Sequence, residues 1–381
     1  MTQSIYKSAR LGILGGGQLG RMLIQEAINL NVRTSVLDPD PDAPCLSLCD
    51  RFVNGSFRDR EAVLAFGRTV DHLTVEIEHV DVSALEILEK EGVIVRPASR
   101  ILKLVQDKGA QKIFYRANGI PTAPFHLVSG RDEISEHAEF LPVMQKLRTG
   151  GYDGKGVRPI RNTGDIADAF DAPSVLEKFV SFEKEIAVIV ARNSRGETVT
   201  YPAVEMEFNQ EANLVEFLFA PARITREIEA KASQLAARLA EALELEGVLA
   251  VELFLTGDGE LLVNEIAPRP HNSGHATIEA NRTSQYEQHL RAVLDLPLGD
   301  TSLIQPTVMV NLLGERGHEG EAAYLGMEEC LAIHGVHVHL YGKRFTKPFR
   351  KMGHVTICDD TLDQAIDKAK KVQQTLKVIS S

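Results

Sequence analysis

Tryptophan is absent from the 381 residues, cysteine occurs four times, and no run of 18 or more apolar residues exists. The missing tryptophan excludes nothing, but the other two shortages do. Cys45, Cys49, Cys330 and Cys358 include no Cys-x-x-Cys pair and are too few to staple a chain of this length, so they read as ordinary reduced thiols. Without a long apolar run no bilayer-spanning helix is expected. The opening Met-Thr-Gln-Ser-Ile-Tyr-Lys also lacks the charged, apolar and cleavage-site regions of a secretory signal. A cytoplasmic location with no membrane partner is the expectation. Cations are short too: 42 Lys plus Arg face 53 Asp plus Glu, a net charge of −11, the wrong sign for a nucleic-acid backbone. Small molecules remain as partners. Internal repeats and low-complexity segments are missing as well.

What is present is globular: 44% apolar and 25% charged residues, enough chain for two to three domains at roughly 150 residues each. The first hundred residues alternate β-rich runs (11–14, 33–37, 52–53, 73–77, 93–95) with helix-periodic ones (19–28, 61–68, 82–90), the pattern of a doubly wound α/β sheet. After Pro97 two helices, 99–105 and 108–118, precede a change of texture. Strands at 143–147, 157–160 and 175–180 flank a glycine loop. Long β-rich runs follow at 185–191, 199–208 and 214–219, then an amphipathic helix at 226–245 and a hairpin of 248–255 with 260–266. Antiparallel hairpins with segregated helices predict α+β for this half. The tail from about Pro306 is β-rich and closes on a helix at 361–376.

Four clusters carry chemistry. Gly15-Gly16-Gly17-Gln18-Leu19-Gly20 matches GxGxxG between a strand and a helix, with Asp38 ending the next strand. A dinucleotide, another phosphate-bearing or polar ligand, or a structural turn would each use such a turn. Lys146 leads into Arg148 and Thr149-Gly150-Gly151-Tyr152-Asp153-Gly154-Lys155-Gly156, four glycines in eight residues. That loop suits closure over phosphates more than a plain hairpin turn, and it lacks the spacing of a P-loop. Glu252 and Glu265 lie in the two apolar strands of the hairpin. If Leu255 faces Glu260, they are diagonal neighbours on one face, about 7 Å apart at Cα, sharing it with Phe254 and Leu261. Two carboxylates that close need a cation between them or one proton, unless the face is open to solvent; Mg²⁺ suits them.

Beyond Glu265 runs Ile266-Ala267-Pro268-Arg269-Pro270-His271-Asn272-Ser273-Gly274-His275. The two histidines have the spacing of a helical zinc site, but the prolines and Ser-Gly argue for a loop with Arg269 as an anion ligand. The fourth cluster, Lys343-Arg344-Phe345-Thr346-Lys347-Pro348-Phe349-Arg350-Lys351, is either a phosphate pocket or a solvated face. His334, His337 and His339 read as packing or hydrogen-bonding residues.

In chain order these pieces resemble the ATP-grasp superfamily over nearly the whole length. More narrowly, the Gly15–Met22, Thr74–Val80, Arg148–Gly156 and Asn264–His275 motifs resemble the N5-carboxyaminoimidazole ribonucleotide synthetases. The resemblance implies a mixed α/β and α+β architecture: a doubly wound pre-ATP-grasp domain over 1–105, a small lobe with the glycine loop over 106–185, a large lobe with the metal site over 186–305, and a β-rich segment over 306–381 that completes the large lobe. It implies an ATP- and bicarbonate-dependent ligase of purine synthesis acting through carboxyphosphate, a cytoplasmic homodimer that hands its product to a carboxymutase. Mg²⁺ is the implied metal, with Mn²⁺ as substitute. ATP would meet Lys108, Lys146, Gly151, Gly154, Gly156 and Asn264, the linker Glu177-Lys178-Phe179-Val180 at the adenine, and Glu185 at the ribose. Glu252 and Glu265 would hold the metal. The imidazole nucleotide would meet Gln18, Leu19, Glu76, Tyr152, Asp153, Arg269, His271 and Asn272, with its phosphate at Lys343, Arg350 and Lys351. Arg269 and Lys155 would hold the reactive intermediate, and Asp153 or His271 would manage the amine proton. With Ile266-Ala267 after Glu265, a third protein ligand to the metal is left open. Rival readings are a formate-dependent glycinamide ribonucleotide transformylase, a dinucleotide-dependent oxidoreductase and a nucleotide-binding sensor.

Overall fold

A computed structural model describes residues 9–151, 156–209 and 214–381. Strands β1 (Arg10–Leu14), β2 (Arg33–Asp38), β3 (Arg51–Asn54), β4 (His72–Val75) and β5 (Ile94–Val95) form a parallel sheet in the order β3-β2-β1-β4-β5. Helices α1 (Gln18–Asn29), α2 (Arg60–Gly67) and α3 (Val82–Lys90) cross between them. Both faces are covered, so β1 is apolar throughout its buried length: Leu14 packs into one core while Leu11 and Ile13 pack into the other. Asp59 and Asp81 cap α2 and α3. The strand order reverses between β1 and β4, which opens a crevice at their carboxyl ends, where the glycine turn lies.

Helices α4 (Ser99–Val105) and α5 (Lys108–Ala117) lead to a small antiparallel sheet of β6 (Phe125–Val128), β7 (Val143–Leu147), β8 (Val157–Ile160) and β9 (Ser174–Lys178), ordered β6-β9-β7-β8. The large sheet starts at β10 (Phe182–Arg192) and continues through β11 (Thr198–Thr200), β12 (Val204–Asn209) and β13 (Leu214–Ala220). The expected run over 199–208 is broken at Tyr201-Pro202-Ala203, since proline cannot donate to a ladder. Helix α6 (Arg226–Ala242) precedes the hairpin of β14 (Gly247–Thr256) and β15 (Leu261–Ala267). Its stripe of Ala232, Leu235, Ala236 and Leu239 covers Ile186, Val188, Leu249, Val251 and Leu253, so alternation turns Glu185 and Glu252 to the opposite face. The division expected at 185/186 runs through β10, and the chain passes from one sheet to the other at 179–181.

Helices α7 (Thr277–Ala280) and α8 (Gln285–Val293) follow, then β16 (Thr307–Leu313), β17 (Gly320–Leu325), α9 (Met327–Leu331), β18 (Val336–Leu340), β19 (Phe345–Thr346), β20 (Lys351–Cys358), α10 (Leu362–Thr375) and β21 (Lys377–Ser380). Strands β16, β20 and β18 extend the large sheet, which runs β15-β14-β10-β12-β13-β16-β20-β18 with β11 beside β10. The first domain is tied to the end of α8 and the approach to β14 by Arg96, whose guanidinium pairs with Glu246 and Asp295 and donates to the Val293 carbonyl at 2.6 Å. No helix among the described residues is long and apolar enough to cross a membrane.

Candidate active site

The hairpin brings Glu252 and Glu265 together by a route other than the expected one. Leu255 pairs with Leu261, one residue further along than Glu260, and this register alone would send the two acids to opposite faces. A bulge between Leu253 and Glu252 adds Asn264 as an extra residue, and Glu252 then lies directly opposite Glu265. The pair is a direct cross-strand pair, not a diagonal one. Leu261 turns to the core with Leu253 and Val263, while Phe254 stacks on Phe182 at 4.7 Å beside the acids' face. The bulge also aims the Asn264 amide inward, where it accepts from Lys146 Nζ at 3.2 Å.

These groups line a cleft of about 1030 Å³ between the two sheets, together with Lys108, Glu185, His271, Asn272 and Lys351. Lys108 Nζ is 3.6 Å from Glu265 and His271 Nε2 is 3.8 Å from Glu252. Burial, reinforced by Glu265 and Glu185, pushes Glu252 up to about 8. Burial likewise lifts Glu185 to about 7. His271 is held well below its usual range by burial and by Arg269 and Lys351, so its imidazole is neutral. Lys351 and Lys108 oppose the rise of Glu252 without offsetting burial and the two neighbouring acids, and an acid so placed favours a bound cation. Two carboxylates and an amide oxygen form a hard, incomplete cage, a donor set that fits Mg²⁺. No cluster of three or more His, Cys, Asp or Glu among the described residues competes with it, and His271 and His275 flank a single turn at Asn272–Gly274 instead of sharing a helix face.

Glu177 and Lys178 lie within β9 and not in a linker. The Glu177 backbone registers with Phe125 and Met144, and its carboxylate is clamped by Lys112 at 2.8 Å and Lys146 at 2.7 Å. Lys178 Nζ donates to the Phe140 carbonyl at 2.8 Å. Val180 is half-buried in the crossing segment next to Phe182 and Glu183 of the cleft wall. Of the cations around the glycine loop, Arg148 is tied to Asp107 at 2.5 Å at the start of α5 and is not free for phosphate. The loop joins antiparallel β7 and β8, with Leu147 N–H donating to Gly156 O at 2.8 Å. Tyr152, Asp153, Gly154 and Lys155 lie outside the described residues; Gly151 sits in a second pocket with Glu78, Arg269 and Gln106.

The glycine turn is already filled. Gly20 N–H donates to Glu76 at 2.7 Å, and a Cβ on Gly17 would meet the same carboxylate at 2.3 Å. Asp38 accepts from Gly16 N–H at 2.6 Å and Asp40 N–H at 2.8 Å. A dinucleotide pyrophosphate therefore has no helix N-terminus to occupy, and Asp38 serves the turn and not a ribose. Burial pushes Glu76 up to about 7 against the opposing pull of Gly20 N–H and Arg269. Gln18 is half-buried, while the Leu19 side chain packs into the apolar core and leaves only its backbone for a ligand. Arg269 pairs with Glu78 at 2.8 Å. The Asn272 and Asn311 amides exchange hydrogen bonds at 2.9 and 3.1 Å.

The basic segment divides. Lys351 reaches the cleft, and Lys343 Nζ donates to the Lys351 carbonyl at 2.7 Å. Arg350 donates to the Phe345 carbonyl at 2.6 Å on the exposed side, and Arg344 lies 3.7 Å from Glu321. His339 pairs with Glu279 at 2.7 Å and stacks on His354 at 4.5 Å, a packing and hydrogen-bonding role.

Family models match three successive parts of the chain: a ribonucleotide synthetase preATP-grasp domain over 8–106, an ATP-grasp domain over 113–286, and a phosphoribosylaminoimidazole carboxylase C-terminal domain over 307–368. The N5-carboxyaminoimidazole ribonucleotide synthase of Bacillus subtilis is 39% identical over 96% of both chains. The chain belongs to the N5-carboxyaminoimidazole ribonucleotide synthetase family. The Thermotoga maritima synthetase superposes with a TM-score of 0.91 at 45% identity, over 98% of this chain and all of that one. The Aspergillus clavatus synthase, solved with ADP and 5-aminoimidazole ribonucleotide, gives 0.87 at 37% identity, over 96% and 100%.

Among the charged residues around the site, Lys112, Glu78, Lys184, Glu205 and Arg223 have no role that the sequence motifs assign. Lys112 stands one helical turn after Lys108 on α5, a spacing that was there to be read. Lys184 and Arg223 hold Glu205 at 2.9 and 2.6 Å on the cleft wall. Their partners are on three separate strands or loops, so no local spacing announces them.

Proposed function

We propose that this protein couples ATP cleavage to the carboxylation of 5-aminoimidazole ribonucleotide by bicarbonate, forming N5-carboxyaminoimidazole ribonucleotide, ADP and phosphate. One observation carries the reading beyond family membership. Lys108, Glu265 and His271 line both the large cleft and a pocket of about 140 Å³ that reaches Glu78 and Arg269. A group activated on the nucleotide side therefore has a short path to a substrate held by Arg269 and Glu76.

ATP lies in the cleft with its phosphates at Lys108, Lys146 and Asn264, its ribose at Glu185 and its adenine at the segment ending in Val180. Glu252 and Glu265, with Asn264 beside them, would hold Mg²⁺ or Mn²⁺, which neutralises triphosphate charge when bound. A bicarbonate oxygen attacks the γ-phosphorus in line and the bond to ADP breaks, giving carboxyphosphate. The exocyclic amine then attacks the carboxyl carbon, directly or as released CO₂, and phosphate departs. Arg269, with Lys155 of the closing loop, holds the intermediate away from water. The His271 Nδ1 faces the Ser273 hydroxyl at 2.9 Å and its N–H at 3.3 Å, an arrangement that leaves the ring proton on Nε2. The neutral ring thus donates a hydrogen bond, and the amine proton goes to Asp153. Gln18, Leu19, Tyr152 and Asn272 complete the substrate site, with Lys343, Arg350 and Lys351 at its phosphate. A cytoplasmic homodimer passing its product to a carboxymutase belongs to the same reading on family resemblance.

The test is ADP release in the presence of Mg²⁺, ATP and bicarbonate. Addition of 5-aminoimidazole ribonucleotide should raise the rate and yield a carboxylated product. Formate with glycinamide ribonucleotide should not. A rate indifferent to the imidazole nucleotide would refute the proposal.

A further inference from the structure

Lys112 lines neither pocket, yet it is among the most enclosed charges in the molecule, with a side chain 4% exposed. Its ammonium meets Glu177 Oε1 at 2.8 Å and Thr122 Oγ1 at 2.5 Å. The Thr122 hydroxyl donates to the Val263 carbonyl at 2.7 Å, next to Asn264. Lys146 touches both the other Glu177 oxygen, at 2.7 Å, and Asn264, at 3.2 Å. The contacts close a ring that runs Lys112, Thr122, Val263, Asn264, Lys146, Glu177 and back to Lys112. It ties α5 and the small sheet to the strand that carries Glu265.

The charges around that ring decide what Lys146 can do. Glu177 facing Lys146 alone would be a neutral pair, and a lysine already neutralised by a fixed carboxylate attracts a phosphate weakly. A second lysine on the same carboxylate leaves the triad with one net positive charge, and the exposed end of that triad is Lys146, because Lys112 has no route to the cleft. Burial by itself would raise the Glu177 carboxyl, and Lys146 and Lys112 together overcome it and hold it below its ordinary value. The acid is therefore ionised and shared.

We propose that Lys112 is a positioning residue for the nucleotide: by taking half of the Glu177 carboxylate it keeps the Lys146 ammonium in place and electrostatically available to the phosphates of ATP. This rests on the reading of Lys146 as a phosphate ligand. Lys112 lines neither the cleft nor the pocket of Glu78 and Arg269, so it acts through Lys146 and not on a substrate directly.

The test is direct titration of MgATP into the wild type, Lys112→Met, Lys112→Arg and the double variant Lys112→Met/Glu177→Gln, by calorimetry, with thermal unfolding as a check on folding. Lys112→Met should weaken MgATP binding by about tenfold or more, since Glu177 then neutralises Lys146 alone. Lys112→Arg, which keeps the charge, should stay within about threefold of wild type. The double variant, which removes cation and anion together, should recover to within about threefold as well. A merely structural role predicts the reverse, with the double variant no better than Lys112→Met. If Lys112→Met does not fold, the double variant still decides, because a folded double variant that binds MgATP poorly overturns the proposal. Wild-type affinity in folded Lys112→Met overturns it too. Failure of the wild type to bind MgATP would instead strike the nucleotide reading on which the proposal rests.

Discussion

Glu177 and Glu252 are both carboxylates on interior strands shielded from solvent, with side chains 6% and 20% exposed, and they shift in opposite directions. Burial works to raise both. Glu177 has two lysines of its own chain within 2.8 Å and is held below its ordinary value. Glu252 has a second acid directly across the strand, Lys351 and Lys108 act on it through charge alone without a hydrogen bond, and it rises to about 8. Two lysines act on each, so the difference is one of cation contact and of neighbouring acids: Glu177 is hydrogen-bonded to both of its lysines, while Glu252 faces Glu265 and Glu185 with its lysines at a distance. The small sheet completes its own electrostatics and becomes a fixed platform for Lys146, while the large sheet is left one positive charge short at the place where a metal–nucleotide complex would supply it. Stability and function separate along that line.

The largest expected effect breaks the deficient side. Glu265→Ala should lower substrate-dependent ADP formation by about a thousandfold at saturating ATP, measured by a coupled ADP assay, with 5-aminoimidazole ribonucleotide binding retained. A loss smaller than tenfold would remove Glu265 from the metal role. Next, Glu177→Ala breaks the complete side by stranding Lys112 and Lys146. It should cost about 3–5 kcal/mol in urea unfolding, and a cost under about 1 kcal/mol would mean that the clamp contributes nothing net.

The smallest effect sharpens the comparison through pH. Glu252 has a raised folded value, so its contribution to stability is complete below its ordinary 4.5 and is lost as pH rises toward about 8. Glu177 has a lowered folded value, so its contribution is present above the ordinary carboxylate range and is lost as pH falls below it. In metal-free protein with a chelator present, Glu252→Gln should therefore be more stable than wild type at pH 8, by roughly 1–3 kcal/mol, and this advantage should vanish near pH 5. Thermal unfolding at the two pH values checks it, and an advantage that grows toward low pH would reverse the sign of the argument.

Much of this architecture was legible in the sequence. The helices over Val82–Lys90 and Ser99–Val105 and the strand Val143–Leu147 appear at the expected bounds, because apolar period agrees there with the Asp81 cap of the first helix and with Gly92, Pro97 and Pro142 at the boundaries. The acid pair was legible as a pair, but its register was not. A turn one residue longer than expected and a bulge at Asn264 each shift the pairing by one, and the two shifts restore the shared face. Hydrophobic alternation records which face a residue takes and is silent on bulges. The glycine turn shows the opposite limit. GxGxxG describes backbone room at a helix N-terminus, and only the fold reveals that Glu76, 56 residues further along the chain from Gly20, fills it. The Lys112–Glu177–Lys146 clamp joins a helix to two strands, so no window of sequence contains it.

The central claim, that Glu252 and Glu265 face each other to receive a divalent cation with the nucleotide, is tested most directly by titrating Mn²⁺ into protein saturated with ADP and following the free-ion signal by electron paramagnetic resonance. Wild type should deplete free Mn²⁺ to one ion per chain beyond what ADP alone binds, and Glu252→Gln/Glu265→Gln, its fold verified by thermal unfolding, should leave the signal at the level of ADP alone. Equal depletion by the double variant and the wild type would contradict the account.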